Sequence, residues 1–282
     1  MTTATASPAS TKIKFRLGGG AQPLILVPVQ VNDRGPFDFI LDTGAGTSLL
    51  SLELAARLGV KVTGLKEGQT VGGKVSVSLA KVESVAVGDA KLEDIDVAVV
   101  DLSHLGKTVG AAIEGDIGYN FLKHFRITID YRGSEIRFED PNRIESFAHT
   151  AKTEVAIRLA NPARPLILVD VYLNGRGPSQ FAIDTGTSTT AITPELARQL
   201  DVQTSPIGPV TTGSARVAAS AGNLKSFQVG DARMDNMAVI VADFFDMLSS
   251  AVGVKLDGIV GYNFLRNYKV MIDYPGELLS LF

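Results

Sequence analysis

Phe37-Asp38-Phe39-Ile40-Leu41-Asp42-Thr43-Gly44-Ala45-Gly46-Thr47 returns 142 residues later as Ser179-Gln180-Phe181-Ala182-Ile183-Asp184-Thr185-Gly186-Thr187-Ser188-Thr189. A single Asp-Thr-Gly carries little weight, because the tripeptide also suits an ordinary turn after a strand. Here the flanks repeat as well. Leu24 to Leu58 overlays Leu166 to Leu200 without a gap, with 18 of 35 positions identical. The register continues from Val87-Gly88-Asp89-Ala90 to Val229-Gly230-Asp231-Ala232, and from Asp101 to Asp243. After one inserted residue, Gly118-Tyr119-Asn120-Phe121-Leu122 meets Gly261-Tyr262-Asn263-Phe264-Leu265, and Ile129-Asp130-Tyr131 meets Ile272-Asp273-Tyr274. A repeat of this length implies two similar lobes rather than a solenoid of short units.

The 282 residues suffice for one large core or two moderate ones, and the duplication favours two. A net charge of −3 without long runs of one sign leaves no electrostatic footprint for nucleic acid or an anionic membrane. No apolar stretch approaches the roughly 18 residues of a transmembrane helix. The absence of cysteine excludes a thiol nucleophile, disulfides and thiolate-bound zinc. His104, His124 and His149 lack a metal-ligand spacing, so no metal or other cofactor is expected. No Gly-x-Ser-x-Gly elbow is present. Met1 to Ser10 has neither the basic start nor the apolar stretch of a secretion signal, which leaves a cytoplasmic protein or one whose signal has been removed.

Short β-branched segments bounded by turn residues predict strands at Leu24 to Val31, Phe37 to Leu41, Val82 to Val87 and Ile95 to Val100. The segments 32–36 and 174–178 read as hairpin turns. Helices are expected over Ser51 to Leu58 and Thr193 to Leu200, with Ser51 and Thr193 as caps. Asp89, Asp231, Asp101 and Asp243 read as turn and strand-end residues. The division is a flexible tail over 1–11, lobes over 12–140 and 154–282, and a linker over 141–153. The terminal strands Glu135 to Glu139 and Leu278 to Phe282 are expected to help join the lobes.

With both Asp-Thr-Gly loops in view, the chain resembles the aspartic peptidases: two retroviral-type (retropepsin-like) subunits fused into a pepsin-like, single-chain pair. The resemblance spans both repeats. It implies a mostly β, bilobal acid-protease fold of two β-barrel lobes related by pseudo-twofold symmetry, with few short helices. It maps Asp42 and Asp184 onto the catalytic pair, one from each lobe. Around them, Thr43, Gly44, Ala45, Thr185, Gly186 and Thr187 would support the catalytic loops, each Thr bonding to the opposite loop. Ile259-Val260-Gly261 matches the family's apolar-apolar-Gly segment beneath the loop, and Asp116-Ile117-Gly118 departs from it in its first residue while keeping Ile117 and Gly118. Val71, Gly72 and Gly73, with Thr212, Gly213 and Ser214, match the flaps that close over a peptide. The expected partner is a peptide or protein substrate, and a monomer follows from both half-sites lying in one chain. A catalytically silent peptide-binding protein of the same fold is the alternative.

Chemistry supplies a reason for pairing the carboxyls. Two of them held close cannot both ionise cheaply, so they share a proton and divide into base and acid. The copies differ at Ala45 and Thr187, where a hydroxyl can favour the charged form of its carboxylate, so Asp184 is expected to ionise the more readily. They differ again at Asp116, which stands where the second copy has Ile259. A solvated edge is the favoured reading of Asp116, ahead of a local loop shift or a third carboxylate near the pair.

Overall fold

The computed structural model describes residues 10–20, 22–70, 73–142, 150–162, 164–212 and 215–282. The expected flap-tip residues Val71, Gly72, Gly213 and Ser214, together with His149 and most of the expected tail and linker, lie outside them. Local chemistry explains the first turns of each lobe. Strand Leu24–Val31 buries Val27, Val29 and Val31 completely, as β-branched residues do when one face of a strand meets a core. Asn32 and Asp33 then adopt φ of 52° and 55°, and Asn174 and Gly175 adopt 52° and 76°, the left-handed pairs that reverse a tight hairpin. Two residues complete the reversal, so Gly35-Pro36 and Gly177-Pro178 begin the returning strands Arg34–Leu41 and Arg176–Ile183 instead of lying in the turns. Ser51 caps helix Leu52–Leu58 by accepting from the Leu54 N–H at 3.0 Å, and Thr193 caps Pro194–Gln199 through Leu196 in the same way.

These hairpins build two barrels. In the first lobe the ring runs through Leu24–Val31, Arg34–Leu41, Gly115–Ile117, Leu49–Ser51, Ala90–Val100 and Gly73–Val87. Pairing of Gln30 with Ala86 and Val31 with Val85 closes it. The second ring runs through Arg164–Leu173, Arg176–Ile183, Gly258–Val260, Ala191–Ile192, Ala232–Ala242 and Ala219–Val229, closed by 171–173 against 227–229. The architecture is the mostly β, two-lobed one that the resemblance implied. The turn at Gly88-Asp89 is fastened by Thr11, whose hydroxyl accepts from the Asp89 N–H, and the turn at Gly230-Asp231 is fastened by Thr153.

A six-stranded sheet joins the lobes. Its order is Ser10–Lys14, Glu135–Glu139, Arg126–Asp130, Lys269–Asp273, Leu278–Leu281 and Thr153–Ala156. Ser10 and Thr11 therefore belong to the sheet rather than to the expected tail. The bond between lobes is made by Arg126–Asp130 against Lys269–Asp273, with the terminal strands one place further out. Its register pairs Thr128 with Met271, its own counterpart in the repeat, so every contact occurs twice about that point. Arg126 meets Asp273 at 2.9 Å, and Lys269 meets Asp130 at 3.3 Å.

This sheet also alters the expected division of the core. One buried cluster runs from Val27, Phe39 and Phe121 through Ile127, Ile129, Val270 and Ile272 to Phe181, Phe227 and Phe264. Two smaller clusters remain, one per lobe. The expectation of two separate cores fails because the shared sheet is apolar where it faces both barrels.

The two copies of the interlobe ion pair differ in exposure. Arg126 and Asp273 side chains are 12% and 10% exposed, against 42% and 29% for Lys269 and Asp130. Removing one partner of a buried pair strands the other charge, whereas an exposed pair contributes little. Arg126→Met should therefore lower the unfolding free energy by about 3 kcal/mol and Lys269→Met by less than about 1 kcal/mol, as read from denaturant midpoints.

Candidate active site

Each Asp-Thr-Gly follows the last residue of a barrel strand, and the parallel neighbour holds it there. The Asp42 N–H donates to Ile117 O at 3.1 Å, and the Asp184 N–H donates to Val260 O at 3.0 Å. Behind each loop, Gly118 and Gly261 lie so close that a Cβ would fall 2.8 Å from Ala45 O or 2.7 Å from Thr187 O. The next backbone N–H, of Tyr119 or Tyr262, uses that closeness to donate to the same carbonyl at 2.7 or 2.8 Å. Ser48 and Thr190 complete the support, their hydroxyls accepting from the Gly118 and Gly261 N–H groups. Asn120 and Asn263 accept in turn from the Ser48 and Thr190 N–H groups at 2.8 Å.

The two loops then grip each other. The Thr43 hydroxyl donates to Ile183 O at 3.0 Å and accepts from the Thr185 N–H at 3.1 Å. The Thr185 hydroxyl donates to Leu41 O at 2.7 Å and accepts from the Thr43 N–H at 3.1 Å. All four bonds are buried, so each is made in place of a bond to water that is no longer available. They draw Asp42 and Asp184 together. A Cβ on Gly186 would lie 2.6 Å from the Asp42 carboxyl carbon, and one on Gly44 would lie 2.8 Å from that of Asp184. Glycine at both positions is what permits the approach.

The carboxyls have unlike surroundings. Asp42 Oδ1 accepts from the Gly44 and Ala45 N–H groups at 2.7 and 3.2 Å. Asp184 Oδ1 accepts from the Gly186 N–H at 2.8 Å, and its Oδ2 accepts from the Thr187 hydroxyl at 2.7 Å. Burial, and then the charge of Asp42, push the Asp184 carboxyl up to about 8 against the opposing pull of Thr187. The expected Thr187 bond is present, and its pull toward the charged form is opposed by desolvation beside a like charge.

Asp116 requires a second correction. It is 6% exposed rather than solvated, and its Oδ1 finds no partner among the described residues. Its strand, Gly115–Ile117, lies between Arg34–Leu41 and Leu49–Ser51, so neighbours cover it on both sides.

Four tyrosines escaped the sequence reading. Tyr119 packs edge-on against Tyr274 with centroids 5.3 Å apart, and Tyr131 packs against Tyr262 at 5.5 Å, each pair crossing between the lobes. The Tyr274 hydroxyl is buried without a partner among the described residues, and burial, Tyr119 and the Asp42 charge all raise its pKa. The signal was the identity of Gly-Tyr-Asn-Phe-Leu and Ile-Asp-Tyr in both copies.

The expected flap hairpins are unequal. The first is continuous, Val62–Thr70 pairing with Gly73–Val87 as far as Thr70 opposite Gly73. In the second, Thr204–Pro206 pairs with the long strand Ala219–Val229, and a separate ribbon of Val210–Thr212 and Ala215–Val217 continues beyond it to Thr212 opposite Ala215. Val210 and Val217 of that ribbon pack against the second lobe's small apolar cluster.

The chain has no cysteine, and no group of three His, Asp or Glu side chains that could hold a metal ion is found among the described residues. No helix among the described residues is long and apolar enough to cross a membrane. A family model described as aspartyl protease matches residues 27–121 and, separately, residues 169–264. No curated protein matches the chain.

Two outcomes test this geometry. Thr43→Val and Thr185→Val each remove a buried donor and strand buried groups opposite, and each should lower stability by about 2–4 kcal/mol in denaturant titrations, with Thr→Ser restoring most of the loss. A carboxyl with a raised folded pKa binds its proton more tightly folded than unfolded. Its contribution is full below about pH 4 and is lost as pH climbs toward about 8. The parent's unfolding free energy should accordingly fall across that window, and Asp184→Asn should remove much of the decline.

Proposed function

The chain belongs to the aspartyl protease family, and on that premise we propose that it is an aspartic endopeptidase in which Asp42 and Asp184 activate one water. The observation that carries this reading is the reciprocal Thr43–Thr185 bonding, which brings two half-sites into one. A purely structural turn has no need of a partner loop 142 residues away.

The assignment of roles follows from the surroundings. Asp184 keeps its proton through neutral pH and serves as the acid. Asp42, fixed by two backbone N–H groups, serves as the base. Asp42 takes a proton from the water as its oxygen attacks the scissile carbonyl carbon, while Asp184 protonates the carbonyl oxygen. The product of this step is a neutral tetrahedral diol, with no covalent link to the enzyme. Collapse of the diol returns the proton to Asp184 and delivers one to the departing amine.

The substrate is an extended peptide lying between the lobes under the hairpins. Ile40 and Ala182, each two residues before its Asp, belong to an apolar cluster in the first and in the second lobe. They favour apolar side chains next to the cut bond.

A denatured protein substrate incubated with the chain between about pH 3 and 7 should be cut at internal bonds. Asp42→Asn and Asp184→Asn should each slow cleavage by at least about a hundredfold. Cleavage that survives either substitution would eliminate the pair mechanism, and peptide binding without turnover in the parent would favour the silent binder.

A further inference from the structure

Among the described residues, Asp116 is a carboxyl near the candidate pair that the mechanism above leaves without a task. On the sheet it lies opposite Ile40 on one side and Leu49 on the other. Cross-strand partners share a face, and on this face Ile40 and Leu49 join Leu26, Leu102, Val109 and Ile113 in an apolar cluster. A carboxylate in such surroundings is costly unless it is paired with a cation. Among the described residues, the titratable groups acting on Asp116 are Asp42, just past the end of the neighbouring strand, and Asp184, from the other lobe, and both are acids. Glu114, two residues earlier, is turned to Arg57 and to the Asp38 N–H. Asp42 follows Ile40 by two residues and its N–H still bonds to Ile117 O, which puts it on the face that Asp116 shares.

The second lobe shows that this placement is specific. Its counterpart Ile259 lies between Ala182 and Ala191, where the first lobe has the larger Ile40 and Leu49. The two lobes therefore fill the same space differently, with a large residue between small ones in the second and a small polar residue between large ones in the first. Asp116 is fitted to its position, and it brings an acid to the face of Asp42, whereas Ile259 brings only hydrocarbon to the matching face.

We infer that Asp116 is a positioning residue for the proposed reaction: a neutral, proton-bearing carboxyl group that donates a hydrogen bond to Asp42 and so holds Asp42 as the base. The inference rests on the reading of Asp42 and Asp184 as a catalytic pair. It explains why two chemically equal aspartates take unequal roles. With it Asp42 has three donors, the others being the Gly44 and Ala45 N–H groups, against the Gly186 N–H and the Thr187 hydroxyl at Asp184, and a hydrogen bond to the charged form of a carboxyl favours that form. Burial, followed by the charge of Asp42, raises the Asp116 pKa well above the ordinary carboxyl range, in keeping with a retained proton.

The test compares the parent with Asp116→Asn and Asp116→Val. Asn keeps the shape and an N–H donor but no ionisable proton. Val removes the donor and avoids the crowding that Ile would meet between Ile40 and Leu49. In the pH profile of kcat/KM, Asn should keep the parent's acidic limb, whereas Val should move it upward by about one pH unit, a tenfold loss on that limb. A second readout needs no activity. A group with a raised folded pKa contributes stability that is full below about pH 4 and is lost as pH rises through the folded value. Between about pH 5 and 8 the parent should thus lose more unfolding free energy than Asp116→Asn does. Equal pH slopes for parent and Asn would overturn the inference, as would an acidic limb that Asn shifts as far as Val or that neither moves. A parent that cuts no peptide would refute the proposed function, and the stability slopes would still decide whether Asp116 holds a proton.

Discussion

Asp42 and Asp184 repel each other as anions, and four buried hydrogen bonds through Thr43 and Thr185 keep them together regardless. Everything else near the site serves that constraint. The glycines after each threonine leave room for the opposite carboxyl. The Gly118 and Gly261 backbones fix the loops from behind, and Ser48 and Thr190 fix those backbones in turn. Repulsion that the fold does not relieve is relieved by protons, so the electrostatics of the site follow from its packing.

Such a grip requires two lobes that meet in a fixed relation. The central pairing of Arg126–Asp130 with Lys269–Asp273 supplies it, because its register is centred on residues that are counterparts in the repeat. The same point governs the crossed tyrosines and the crossed threonines. A continuous apolar core through the shared sheet makes the lobes one folding unit, so a shift of one against the other would disturb the core as well as the site.

Much of this was legible in the sequence. Repetition marked the loops, the supporting glycines and the hairpins, since each is a local pattern whose chemistry is visible in a few adjacent residues. The helix caps Ser51 and Thr193 were read for the same reason. Burial was less legible. Asp116 looked like a surface residue because an acid usually is one, and nothing local reveals that Ile40 and Leu49 flank it. The surroundings of Asp184 were legible only in part, since the Thr187 bond is evident in the sequence and the desolvation opposing it is not. Asymmetry between the copies was visible, but its consequence depended on neighbours distant in the chain.

The central claim is that two carboxyls from two lobes form one coupled acid–base pair. Carbon-13 NMR of the aspartate side-chain carboxyls, followed from acid to alkaline pH, addresses it most directly. The Asp184 resonance should stay in its protonated position through neutrality, move near pH 8, and shift its midpoint toward acid when Asp42 is replaced by Asn. Independent titration of both residues near about pH 4, unaffected by substitution of either, would contradict it.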